Sequence, residues 1–153
     1  MSSDLAECLG TPPPEDPGDE HQRWALYRRA ISREACHPPL LAALHADPDD
    51  GLVASVVIQM MEWVEASQRE PWIASVRTDR DRRYATRRGR EVDILRIHGA
   101  VPDLGQASVT GWTDWLQIRL AEISTVAPVL DLLALHGRTK RIRRTAAQRR
   151  IAR

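Results

Sequence analysis

Apolar residues recur along this chain every three or four positions, and no stretch alternates apolar and polar residues long enough for a sound strand. The spacing therefore predicts helices. Asp19 is placed to cap a first one, with Gln22 three residues on as a capping-box partner and Trp24, Tyr27 and Ile31 along one face. Pro38 and Pro39 suit the first turn of a second, where a missing N–H costs little, and Leu40, Leu41 and Leu44 supply its apolar side. Asp47-Pro48-Asp49-Asp50-Gly51 breaks the chain with turn residues. Leu52, Val53, Val56, Val57, Met60, Met61 and Val64 then form two adjacent rows at a spacing of four, the clearest stripe in the sequence, and the methionine pair reads as core. Glu70-Pro71-Trp72 predicts a further helix start. From Arg77 to Arg90 the apolar signal nearly vanishes, which predicts an exposed helix or a mobile arm. Periodicity resumes at Val92, Ile94, Leu95 and Ile97, and Gly99 with Pro102 behind it predicts a helix end. Residues 100–110 read as a loop. Trp112, Trp115, Leu116, Leu120 and Ile123 mark one more helix, and Val126, Val129, Leu130 and Leu133 the next, ended by Gly137. A last helix over 138–151 is thinly apolar, with Ile142, Ala146 and Ile151.

Three of these helices end alike. Leu41-Ala42-Ala43-Leu44-His45-Ala46, Ile94-Leu95-Arg96-Ile97-His98-Gly99 and Leu132-Leu133-Ala134-Leu135-His136-Gly137 each close on an aliphatic residue, a histidine and a small residue. Each is followed by a turn and another helix. Two-helix units recurring about every 40 residues characterise solenoids, whose neighbours cover the apolar face that one pair cannot hide. Pro39–Asp49 followed by Leu52–Val57 resembles a HEAT repeat, with an Asp-Pro-Asp turn between helices and small residues early in the second. Val129–Gly137 followed by Arg138–Ala147 is similar, Arg143 or Arg144 standing before Ala146 as in the second helix of such repeats. The middle unit departs, because Pro102–Thr110 replaces the tight turn, and 67–83 reads as an insertion. The resemblance covers 35–151. It implies an all-α fold, a short HEAT-like α-solenoid of about three helix pairs.

Charge changes the picture at the two ends. The 22 Lys+Arg and 21 Asp+Glu nearly cancel, yet six acids and no base lie in residues 1–20, and eight bases and no acid in 137–153. All the bases but Lys140 are arginine. Thr11-Pro12-Pro13-Pro14-Glu15-Asp16-Pro17-Gly18 has too few apolar groups to offset the entropy of ordering. The expected organisation is a disordered acidic leader at 1–18, able to mask the basic tail, and a helical domain at 19–153. No run of apolar residues is long enough for a membrane span, and the N-terminus lacks a signal-peptide pattern. Cys8 and Cys36 make neither a disulfide framework nor a four-ligand zinc set. A cytoplasmic protein is the default expectation.

Candidate chemistry is sparse. His45, His98 and His136 suit helix C-termini, where a ring nitrogen meets loose carbonyls, and they lack the partners of a metal site. Trp112-Thr113-Asp114-Trp115 holds the residue types with which HEAT-like alkylpurine DNA glycosylases trap and hydrolyse a base, but spacing turns both tryptophans toward the core. No phosphate loop, nucleophile elbow or zinc-protease motif occurs. The strongest signal is basic. Arg138, Lys140, Arg141, Arg143, Arg144, Arg149 and Arg150 cover most of the last helix, and Arg87 and Arg88 in the 77–90 cluster extend the set. Arginine pairs bidentately with phosphate and carboxylate alike. The sequence thus predicts a non-enzymatic protein-interaction or adaptor module with no cofactor and no metal. The alternatives are a sequence-independent DNA- or RNA-binding protein using the basic last helix and, third, a glycosylase-type enzyme working through Asp114.

Overall fold

The computed structural model describes residues 3–152, and among these it is all-helical, with no strand. Ten α-helices follow in order: α1 (Ser3–Leu9), α2 (Glu20–Ile31), α3 (His37–Ala46), α4 (Asp50–Met60), α5 (Glu70–Ser75), α6 (Asp79–Arg96), α7 (Gln106–Gly111), α8 (Asp114–Ile123), α9 (Ala127–His136) and α10 (Lys140–Ile151). Among the described residues no helix is long and apolar enough to cross a membrane. The chain forms two compact units, one up to Gly89 and one from Arg90, so the division falls inside α6.

In the first unit the expected starts and stops are present. Asp19 caps α2, its carboxylate accepting from the N–H groups of His21 and Gln22. These bonds hold the Asp19 carboxyl below the usual range. Pro38 and Pro39 occupy the first turn of α3, and Asp49 caps α4 through the Leu52 N–H at 3.0 Å. Helix α2 packs against α3 and α4, and α5 packs against both of these. Leu26, Leu40, Leu44, Val56, Val57, Met60 and Met61 are buried, as the stripe on α4 demands. One polar cluster sits inside this core. The Asp47 carboxylate, fully buried, accepts from Arg23 Nε at 2.9 Å and from the Tyr27 hydroxyl at 2.7 Å. Burial, and then the bond to Asp47, push the Tyr27 phenol well above its ordinary range.

The disordered leader expected over 1–18 is not what the described residues show. Leu5, Ala6 and Leu9 of α1 are buried, and α1 packs against α2 and α3. Cys8 is joined to Cys36 by a disulfide with Cα atoms 5.8 Å apart. The proline segment returns to the fold through the carbonyls of Pro17 and Gly18, which accept from the Arg23 guanidinium at 2.9 and 2.8 Å. The composition of 11–18 governs only those residues; three apolar side chains and one covalent bond hold the helix before them. The two cysteines, too few for a framework, still make one bridge. Disulfides persist in oxidising compartments and are rare in the cytosol, so the bridge lends the cytoplasmic expectation no support.

In the second unit, α10 packs along α9 and α8, and α7 packs on α9. Its core gathers Val109, Trp112, Leu116, Leu120, Val129, Leu130, Leu133, Ile142 and Ala146. The loop read at 100–110 contains α7, whose six residues carry too little periodicity to be seen in sequence. Gln117, completely buried, organises this end. Its amide N donates to the carbonyls of Val109 and Trp112, and its amide O accepts the Arg138 N–H at 2.9 Å. Helix α6 closes through paired bonds from His98 N to Leu95 O and from Gly99 N to Ile94 O, both 2.9 Å, with His98 at φ 54° and Gly99 at φ 78°. A side chain at Gly99 would also stand 3.1 Å from Val129. This is the Schellman ending in which glycine is favoured.

Candidate functional site

The arginine-rich stretch is ordered as the first half of α6. Thr78 starts it reciprocally: its hydroxyl donates to the Asp81 carboxylate at 2.7 Å and accepts the Asp81 N–H at 3.1 Å. Arg82 binds Asp79 at 2.5 Å and, with a weaker pull from Arg83, holds the Asp79 carboxyl below the usual range. Ala85, at 0% exposure, marks the buried side of the helix. Arg80, Arg83, Tyr84 and Arg87 follow the spacing 0, 3, 4, 7 and share a different face.

That face lines a groove of about 780 Å³. Its other wall is α4, which contributes Gly51, Ala54, Ser55 and Ile58. Arg80, Arg83 and Arg87 are exposed, and none forms an ion pair among the described residues. Asp81 also lines the groove, engaged with Thr78. The Arg87 guanidinium lies 5.1 Å from the centre of the Tyr84 ring, and the ring itself is 40% exposed. The groove therefore presents three cations one helical turn apart, rising about 5.4 Å per turn, and one aromatic platform.

Compared with known proteins, the chain matches no family model, no curated protein and no solved structure.

Of the residues expected to form a basic surface, the structure brings Arg87 to this groove. Arg88 is buried instead; it donates to the Tyr84 hydroxyl at 3.4 Å and its guanidinium lies 5.8 Å from the ring centre. The last-helix set divides by role. Arg138 pairs with Asp114 at 3.0 Å and donates to the Trp112 carbonyl. Arg141 pairs with Glu122 at 3.7 Å and Arg150 with Asp131 at 2.6 Å. Arg143 donates to the Gly137 carbonyl at 2.6 Å. Lys140, Arg144 and Arg149 are exposed and form no ion pair among the described residues. Arg153 lies outside the described residues. Helix α10 is thus partly committed to its own unit, whereas the groove cations of α6 are not.

The remaining candidates have structural places. His45 Nδ1 meets the Leu41 carbonyl at 2.9 Å, closing α3. His98 takes the left-handed position at the end of α6. Trp112 lies in the core, Thr113 caps α8, and Asp114 is paired with Arg138. The sequence singles out Arg87 and holds Arg80 and Arg83 only as members of the 77–90 cluster, while Tyr84 is passed over; the 0, 3, 4, 7 spacing that joins the four on one face is legible there.

Proposed function

We propose that this chain is a non-enzymatic binding module that captures nucleic acid through its phosphates. The observation that supports this reading is the groove between α4 and α6, where Arg80, Arg83 and Arg87 are exposed and form no ion pair among the described residues. Exposed guanidinium groups on one helix face match the bidentate geometry of phosphate. An acidic protein, the partner class expected first from sequence, would use the same cations. Nucleic acid fits better because the groove adds an exposed aromatic ring, which every base can meet with its π-face. Lys140, Arg144 and Arg149 of α10 supply a second basic surface of the same character. The solenoid reading belongs to the same proposal, and the packing of α9 and α10 across a short turn supports one of its expected repeat pairs. The disulfide supports an oxidising working environment for the module.

Fluorescence polarization tests the reading with labelled single-stranded and duplex oligonucleotides and a labelled polyglutamate peptide, each titrated across salt. Oligonucleotide affinity should fall linearly with salt on logarithmic axes. Removing Arg80 and Arg83 together should flatten the slope by about 0.7 per lost phosphate contact on a single strand. Absence of oligonucleotide binding at low salt, or polyglutamate binding as tight as either oligonucleotide, overturns it.

A further inference from the structure

The groove holds more than phosphate-binding charge, and its extra parts specify the form of nucleic acid. We propose that it is a single-strand site in which one unpaired base stacks on the Tyr84–Arg87 pair while Arg80 and Arg83 hold neighbouring phosphates. The inference rests on the nucleic-acid reading above and narrows it.

Three features carry it. The first is the stack already in place. The Arg87 guanidinium lies over the Tyr84 ring, 5.1 Å from its centre, and that of buried Arg88 lies 5.8 Å from it, so the 40% exposed ring is already one layer of a cation–π stack that a base can extend. Aromatic rings and arginine planes are the surfaces on which splayed-out bases stack. The second is room. Gly51, Ala54 and Ser55 line the α4 side with short side chains, Ile58 adds an apolar one, and the Ser55 hydroxyl is turned back to the Gly51 carbonyl at 2.8 Å. A groove of about 780 Å³ lies within the range of sites that accept a small planar ligand, roughly 300–1,000 Å³. The third is order along the helix. Arg80 and Arg83 precede Tyr84 by one turn and by one residue, so phosphate contacts flank the platform on its N-terminal side. Asp81, held by Thr78, lines the same groove and repels a phosphate placed beside it, which restricts where the backbone can run. In a duplex the bases are already stacked and paired, so only a single strand can use the platform.

The experiment compares three probes on the intact chain by fluorescence polarization at fixed low salt. These are a short oligothymidylate, an abasic strand of the same length and charge, and a duplex. The oligothymidylate should bind about five- to a hundredfold more tightly than the abasic strand, the gain expected from one base–aromatic stack. Tyr84→Ala should remove that preference with the salt slope unchanged, and Tyr84→Phe should keep it. Equal affinity for the oligothymidylate and abasic strands, or duplex binding as tight as single-strand binding, overturns the stacking site while leaving phosphate capture standing. No binding of any probe removes the underlying reading as well. The probe comparison uses the unaltered protein, so it decides the matter even if a Tyr84 variant folds poorly.

Discussion

Asp47 shows how much one buried carboxylate can organise. It sits in the turn between α3 and α4, yet both its strong partners, Arg23 and Tyr27, come from α2. A second oxygen accepts the Asp49 N–H at 2.9 Å, which shapes the turn itself. Breaking a buried pair leaves a charge without compensation, typically at a cost of about 3–5 kcal/mol. Arg23→Ala should lower stability by that amount in urea unfolding, and it should also free the carbonyls of Pro17 and Gly18 from their donor. The phenol makes a separate pH prediction. Its folded pKa is raised, so its contribution is fully present below the ordinary value of 10.0 and is lost as pH rises through the folded value. Thermal unfolding measured from pH 8 upward should fall steeply beyond about pH 10, and Tyr27→Phe should show a shallower alkaline fall. None of this cluster was legible from spacing. Tyr27 was placed on the buried face of α2, but Arg23 was assigned no role, because pairing depends on what another helix brings opposite.

At the scale of elements, caps and breakers carried most of the information. Asp19, Pro38, Pro39, Asp49 and Thr139 all stand where helices begin, and their side chains or rings act locally. Local chemistry survives translation into structure because its partners are a few residues away. Helix α1 is the opposite case. Seven residues are too few for an isolated helix to persist in water, so it depends on burial of Leu5 and Leu9 and on the bond from Cys8 to Cys36. The bridge spans a sequence separation of 28, for which chain-entropy reasoning gives a stabilisation of about 3–4 kcal/mol. Cys8→Ser, or reduction of the intact chain, should lower stability by about that much. Protease cleavage should then appear first between α1 and α2. A variant as stable and as protease-resistant as the parent would show that α1 holds by packing alone. Helix α6 gave the reverse surprise. Two sequence segments, one basic and one apolar, are one continuous helix of 18 residues. The basic half hid the continuity, since its buried positions are filled by Ala85, Arg88 and Gly89 in place of aliphatics.

For the whole molecule, a near-zero net charge conceals surfaces of unequal commitment. The carboxylates of Asp114, Glu122 and Asp131 pair with Arg138 just before α10 and with Arg141 and Arg150 on it, whereas Arg80, Arg83 and Arg87 on α6 form no ion pair among the described residues. Counting charge along the sequence favoured the tail; only packing separates a structural guanidinium from an available one. The same limit applied to Gln117, a polar residue in an apolar stretch whose three backbone partners lie on α7, before α8 and before α10. The amino-acid sequence alone was sufficient for the all-α class, most helix starts and the apolar faces, because these follow from dihedral preference, capping and a period of 3.6 residues. Tertiary structure decided that Cys8 meets Cys36, that Arg23 and Tyr27 share Asp47, and that Tyr84 stands among arginines opposite the small residues of α4. Those are juxtapositions of residues distant in the chain, and no local pattern encodes a distance that only the packing of several helices sets.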